Sequence, residues 1–555
     1  MNLIDMKRKI VMKRKSIFII PVLALILAFS ACTGVSPANG SEGDTNRNNR
    51  GQVEALTIAI TRDVNTLTPI TFQTGTPGFD TMRFMYDSLF TISPDNEVIP
   101  WMVDDSFTIS DDYRVYEMTL LPGQKWHDGS ELTGLDVKFT FYFFRDTEIH
   151  SRWTPIASKV ESIEVEGDKI TITLIDPDIG FLRSGLADMR IISKNAHEGV
   201  SNAAAVPNMG SGPYRLLEYV PGQFYTLEAV DSYFRGTPRV RTLRMPVMTD
   251  RAVIHQALAA GEIAAFTGSI GVELFDFFDA RPEISIGQSD GFASYLLLMS
   301  NVTAPFDQRD FRRAVSMAID VEFIMDTVFL GRATAGTAGY VREGLEEHVE
   351  GLPHIFDIDQ SVKLLESLGY TEKNNNGIRL KTDGSPLEVE LLVSSASIER
   401  IRMAEIISVQ LNEVGIAVNI RPMDPDTLDE FVWPDIDTTN PHNYQMAMWG
   451  WSAPVVQRLN AIVQVCSSDF AGTGILNLSH FKNAEFDELA DKMVRSVDRN
   501  ERAQLNERLQ RIVAEEVPFV TIGFEDNISA VNTAMYDGWV FAKGTNAVNI
   551  FSFLP

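Results

Sequence analysis

The sequence predicts a mixed α/β chain of more than one domain behind an export segment. Three observations carry this: strand-like runs alternate with helical periodicities, 555 residues at 45% hydrophobic content exceed a single core, and the amino terminus reads as an address. No repeat of fixed period interrupts the alternation.

The address comes first. Lys7, Arg8, Lys9, Lys13, Arg14 and Lys15 precede an apolar run, 17–29, that ends on the small residues Ser30 and Ala31. A basic region, an apolar region and a small-residue cleavage site make residues 1–31 a signal peptide. The run falls short of the roughly 20 apolar residues of a membrane-spanning helix, so removal is expected. Ala28-Phe29-Ser30-Ala31-Cys32 resembles a bacterial lipobox, whose cysteine becomes the lipidated first residue, with Phe29 where an aliphatic residue is usual. Residues 32–53, rich in Gly, Asn, Ser and Asp, suit a flexible tether behind such an anchor.

Losing residues 1–31 removes six Lys/Arg against one Asp and moves the formal net charge from −27 to −32. Such acidity excludes nucleic acid, whose phosphates need Lys and Arg, and leaves a solubilising surface charge. With Cys32 acylated, Cys466 is the one remaining cysteine, so no intramolecular disulfide forms.

Beyond the tether, 53–60, 114–121, 170–175, 225–229 and 387–393 are apolar or alternating runs bounded by Gly, Pro and Asp, the pattern of strands. Residues 307–330 place Phe311, Val315, Ala318 and Ile319 at helical spacing, and 359–368, 398–414, 483–497 and 500–515 keep the same rhythm. Gly331, Gly369 and Gly415 stand just past three of these helices as stops. Turn-forming stretches at 207–212, 300–308 and 516–519 are candidate domain boundaries. The acidic stretch 422–443 reads as a surface loop, because Asp424, Asp426, Asp429, Asp435 and Asp437 repel one another when buried together. Its spacing fits no EF-hand, and the chain has no His-x-x-x-His pair or Cys cluster, so neither a metal nor a cofactor is expected.

One string is specific. Leu120-Leu121-Pro122-Gly123-Gln124-Lys125-Trp126-His127-Asp128-Gly129-Ser130-Glu131-Leu132-Thr133-Gly134-Leu135-Asp136-Val137-Lys138-Phe139 reads as strand, tight turn and helix, with Thr133 and Asp136 spaced as a capping box. It resembles the central signature of the family 5 extracellular solute-binding proteins of ABC importers, the dipeptide, oligopeptide and nickel group. Further matches follow in that family's order. They are Tyr86-Asp87-Ser88-Leu89-Phe90, Pro100-Trp101-Met102, Gly210-Ser211-Gly212-Pro213-Tyr214, the string from Asp231 to Pro238, Phe311-Arg312-Arg313-Ala314-Val315 and Val517-Pro518-Phe519.

The resemblance implies a two-lobe, periplasmic-binding-protein-like fold of type II, cluster C, with an extra inserted α/β domain. Mapped here, lobe I is 54–87, 208–298 and 528–555, the insertion is 88–207, and lobe II is 299–527. It also implies a monomeric lipoprotein on the outer face of the cell membrane that closes on a peptide-like solute and hands it to permease subunits. The resemblance leaves room for an oligosaccharide or a nickel chelate as ligand, or for a sensory receptor of peptide signals. The rival from another class is an exported hydrolase; against it, Gly210-Ser211-Gly212-Pro213 sits in a family turn. No catalytic residue is expected.

Candidate ligand residues lie on the segment matching the family's pocket strand, Met446-Ala447-Met448-Trp449-Gly450-Trp451. Trp449 and Trp451 share one face of a strand and form either a stacking wall for ligand or hydrophobic core. In peptide-binding relatives an Asp after the second aromatic pairs with the peptide ammonium; here Pro454 occupies that place. Arg458 either holds a ligand carboxylate or pairs internally. Gln73, in the loop matching the first pocket segment, faces either ligand or solvent. His127 belongs to the signature turn and has a structural role.

Overall fold

The computed structural model describes residues 52–63, 67–70, 81–147, 153–200, 206, 208–432, 444–452, 456, 459–470 and 476–555. Nineteen strands run through them. They are β1 Val53–Ala59, β2 Phe90–Ile92, β3 Val98–Pro100, β4 Thr108–Ile109, β5 Val115–Thr119, β6 Val160–Glu166, β7 Lys169–Leu174, β8 Tyr214–Val220, β9 Phe224–Ala229 and β10 Val240–Pro246. Then come β11 Ala265–Phe266, β12 Ile284–Ser289, β13 Ser294–Met299, β14 Ala333–Ala335, β15 Glu388–Ser394, β16 Ala417–Met423, β17 Met446–Trp449, β18 Phe519–Glu525 and β19 Asn527–Asn532.

A five-stranded sheet in the order β11-β1-β10-β9-β8 builds the first lobe, with β12 and β19 paired beside it. A six-stranded sheet, β14-β18-β13-β17-β15-β16, builds the second. The inserted segment carries the four-stranded sheet β4-β5-β7-β6 and the helix Gly134–Asp146. Its apolar side chains, Phe141, Ile172 and Leu186 among them, join one core with Leu56, Tyr225 and Leu243 of the first lobe. The six-stranded sheet is buried on both faces, as its continuous apolar runs require. Leu297, Leu391, Met448 and Ile522 point into one core, and Leu296, Leu392, Ala447 and Trp449 into the other.

The signature folds as its residues dictate. Gly129 takes φ +88°, and Thr133 and Asp136 form the capping box, with the Thr133 backbone N–H donating to Asp136 Oδ2 at 2.9 Å. Strings scattered over 150 residues of sequence converge on one buried carboxylate. Asp87 accepts from Trp101 Nε1 at 2.9 Å, Tyr233 OH at 2.8 Å and Ser211 Oγ at 3.0 Å. Burial raises its carboxyl pKa against the pull of these donors. His127 bonds Gly212 O through Nε2 at 3.1 Å, and burial lowers its pKa to about 4, so the imidazole is neutral at pH 7. The motifs therefore fasten the insertion to the first lobe.

Two expectations change. Residues 307–330 form two helices, Arg309–Met317 and Val321–Phe329, because Asp320 caps the second by accepting from Phe323 N at 3.0 Å. Within 422–443, Pro425–Val432 is helical: Leu428 and Val432 are buried while its aspartates stay outward, so the charges do not share an interior. Residues 433–443 lie outside the described residues.

Candidate functional site

The chain passes between the two lobes at residues 290–293, between β12 and β13, and at Asp526, between β18 and β19. β13, which straddles the 298/299 division expected from the sequence, hydrogen-bonds within the six-stranded sheet. The two crossings touch: a Cβ on Gly291 would collide with Glu525 O. Arg342, buried in the second lobe, reaches both of them. Its Nη2 lies 3.1 Å from Asp290 Oδ1 and 3.9 Å from Asp526 Oδ1, and donates to Thr334 Oγ1 at 3.1 Å.

Beside these crossings the strand ends of the second lobe form the floor of the candidate site. Ser294 N–H donates to Trp451 O at 2.9 Å, and Trp451 N–H donates to Ser294 Oγ at 3.1 Å. Only glycine fits at 450, since a Cβ there would collide with Ser294 O and stand 3.2 Å from Arg400 Nη2. Next along β13, Tyr295 OH donates to Glu525 Oε2 at 2.9 Å. Burial, then the Glu525 charge, holds the Tyr295 phenol well above its usual pKa, and burial raises that of Glu525. Arg400, in the first turn of the helix Ile398–Glu413, lies over the Tyr295 ring at 6.0 Å. Glu525 also feels Arg251, at the start of the first-lobe helix Arg251–Ala260, so both lobes bear on this floor.

Trp449 and Trp451 come together edge to face, ring centroids 6.2 Å apart. They are 7% and 6% exposed and belong to the core under the six-stranded sheet. Gln73, Arg458, Pro454 and Cys32 lie outside the described residues. Tyr295, Glu525 and Arg400 escaped the sequence reading because nothing local marks them: β13 and β18 are continuous apolar strands, and Arg400 is one of several charges on a helix.

No Gly-x-Ser-x-Gly elbow is expected in the sequence case against a hydrolase, yet the chain carries one such string. Gly287-Gln288-Ser289-Asp290-Gly291 matches the Gly-x-Ser-x-Gly pattern of a nucleophile elbow. In the structure Ser289 ends β12, the chain runs on to another strand instead of a helix, and Ser289 Oγ donates to Ala542 O at 3.3 Å. The geometry is a lobe crossing, and the serine is not presented as a nucleophile.

A family model described as bacterial extracellular solute-binding proteins, family 5 Middle, matches residues 97–472. The oligopeptide-binding protein AppA of Bacillus subtilis is 25% identical over 433 residues, 75% of this chain and 76% of that protein. Its structure in complex with a nonapeptide superposes with TM-score 0.71 at 22% identity, over 87% of this chain and 95% of AppA. The ABC transporter substrate-binding protein CtaP of Listeria monocytogenes gives 0.79 at 22% identity, over 91% and 99%. NikZ of Campylobacter jejuni, in complex with Ni(L-His), gives 0.75 at 19% identity, over 90% and 99%. These likenesses establish the two-lobe fold.

Proposed function

The chain belongs to the bacterial extracellular solute-binding proteins of family 5, and from that premise we propose that it is the lipid-anchored receptor of an ABC importer for a peptide-like solute. The family is one of binding proteins and not of enzymes. In this reading Cys32 carries the acyl anchor, residues 32–53 tether the protein to the outer face of the membrane, and the monomer delivers its cargo to permease subunits. In this reading lobe I comprises 54–87, 208–298 and 528–555, the insertion 88–207 and lobe II 299–527, and the connections at 290–293 and Asp526 support drawing the changes of lobe a few residues earlier.

The observation that carries the reading is the pair of touching crossings beside a floor that both lobes address. Two short connections let two rigid bodies close on a guest with few soft residues. Ligand contacts that exist together only when the lobes are shut shift the population toward the closed form. Moving it from 1:99 to 99:1 takes about 5.5 kcal/mol of differential affinity, within reach of a few enclosed hydrogen bonds and aromatic contacts. Trp449 and Trp451 support that floor from beneath, while Gln73 and Arg458, which lie outside the described residues, are proposed as further ligand contacts.

Native mass spectrometry of the freshly purified chain tests this. A co-purifying peptide, released unchanged, with X-ray scattering showing compaction on rebinding, is the expected result. A sugar mass or cleavage products would sink the peptide reading. The Ni(L-His) bound by NikZ favours a metal–amino-acid chelate as second reading, and nickel in the purified protein is its signature.

A further inference from the structure

The inserted segment has no direct chain connection to the second lobe: the chain enters it from the first lobe and returns there before the crossing at 290–293. It shares one core with the first lobe and is fastened to it through Asp87, so the two form one body. Contacts beside the crossings, such as Arg332 over the Phe275 ring at 3.4 Å, move least when the lobes rotate. A contact between the insertion and the second lobe is instead made or broken by the angle between the lobes.

One such contact exists. A Cβ built on Gly180 of the insertion would stand 3.4 Å from Cβ and 3.6 Å from Cδ2 of Leu459 in the second lobe, which is van der Waals distance. Each side of the joint is a turn held from within its own body. Asp178 Oδ1 accepts from Gly180 N–H at 2.9 Å, Asp178 O from Tyr116 OH at 2.7 Å and Asp178 Oδ2 from Lys159 Nζ at 2.6 Å. Opposite, Asn460 takes φ +64°, donates its backbone N–H to Glu347 at 3.2 Å and accepts from Arg502 Nη2 on Oδ1 at 2.7 Å. Charge matches across the joint, since Asp178 attracts Arg502. Two turns shaped in advance, with opposite charge behind them, need little further ordering to join.

We propose that the insertion is a jaw of the receptor: its turn 178–180 seats on Leu459 and Asn460 as the lobes shut, and this contact adds to the stability of the closed form and so to the affinity for solute. The inserted domain thereby takes part in capture without having to touch the cargo. This rests on the solute-receptor reading and gives the insertion a task within it.

The same geometry supplies the test. The 3.4 Å between the two Cβ positions is close to the span of a disulfide, about 3.5–4.5 Å, and Cys466 is buried out of reach. In the full chain carrying Gly180→Cys and Leu459→Cys, mild oxidation without solute is expected to link the two positions, as read by peptide mapping. X-ray scattering should then show the oxidised protein compact and the same protein expanded after reduction. Sealed before an equimolar library of tetra- to nonapeptides is added, the oxidised form should retain at least about tenfold less peptide by native mass spectrometry than the reduced form. Leu459→Ala, which trims the seat and keeps the turn, should weaken retention about threefold relative to wild type. No link, a link that leaves the scattering unchanged on reduction, or equal peptide retention in the two forms overturns the jaw. Retention of no peptide by wild type removes the peptide reading instead, while linking and scattering still decide the jaw. Circular dichroism verifies folding, and if the double variant does not fold, unchanged retention by Leu459→Ala overturns the proposal.

Discussion

Arg312 and Arg400 are the same side chain in the same lobe, the first buried and the second partly exposed, and they are used in opposite ways. Arg312 lies where the helix Arg309–Met317 meets the end of the helix Arg499–Glu516. Burial lowers its pKa to about 10, and its fork is filled by carbonyls. Two of those carbonyls, Glu516 O and Val517 O, flank a sharp exit: Val517 sits at φ +48°, a costly conformation for a β-branched residue. The guanidinium pins that turn and aims Pro518 and β18 into the sheet. Arg400 has an equivalent fork, partly exposed, with no acceptor among the described residues. Full pairing marks a group that holds the fold; a partly exposed fork left to solvent marks a group the fold does not lean on.

The largest expected effect breaks the filled fork. Arg312→Met leaves three interior carbonyls without donors beside a strained turn, and should cost about 3–5 kcal/mol in urea unfolding. A cost under about 1 kcal/mol would mean that carbonyl pairing does not separate structural arginines from functional ones.

A carboxylate gives the intermediate state between the two arginines. Glu347 accepts from Asn460 N–H at 3.2 Å, but Arg502 Nη2 stays 3.7 Å away, and burial raises the carboxyl pKa from 4.5 to about 7. The folded state therefore holds this proton more tightly than the unfolded chain does. The resulting stabilisation is complete below about pH 4.5 and is lost as pH rises through about 7, a change on the order of 3 kcal/mol. Chemical denaturation from pH 4 to 8 should show this loss against the background of other groups. Glu347→Gln, which keeps a neutral side chain at every pH, should flatten that part of the profile, and an unchanged profile would remove Glu347 as its source.

Much of this was legible in the residues and some was not. The capping box of Thr133 and Asp136 and the turn at Gly129 are local, so spacing alone announced them. The strings around Asp87, Trp101, Ser211 and Tyr233 were visible as strings, but that they close on one carboxylate is a fact of three-dimensional convergence. The break at Asp320 was hidden because the apolar rhythm runs straight through it and only the cap shows the restart. Arg400 was invisible for the opposite reason: its distinction is the absence of hydrogen-bond partners among the described residues, which no spacing encodes.

Glycines provide a smaller test at both ends of the floor. Gly291→Ala presses on Glu525 O at the crossing, and Gly450→Ala presses on Ser294 O beneath Arg400. Each obstacle is backbone, so each substitution should cost about 2 kcal/mol of stability by overpacking. They should differ in function. Gly291→Ala alters how the lobes close and should change the compaction seen by scattering. Gly450→Ala presses on the floor of the candidate site beside Arg400 and should weaken retention of the solute. Identical behaviour of the two variants would merge the crossing and the floor into one structural unit.

The smallest effect on stability should come from Arg400 itself. Arg400→Met deletes a partly exposed charge that makes no side-chain hydrogen bond among the described residues, and keeps much of the side-chain volume over Tyr295. No donor or acceptor of the described chain loses a partner, so the penalty that dominates at Arg312 has no counterpart, and relief of desolvation offsets the lost attraction of Glu525, Glu399 and Asp429. The expected change is under about 1 kcal/mol in either direction, measured by urea unfolding without ligand. A loss near that of Arg312→Met would show that Arg400 already has its partner within the chain, and the contrast between filled and empty forks would then have to be abandoned.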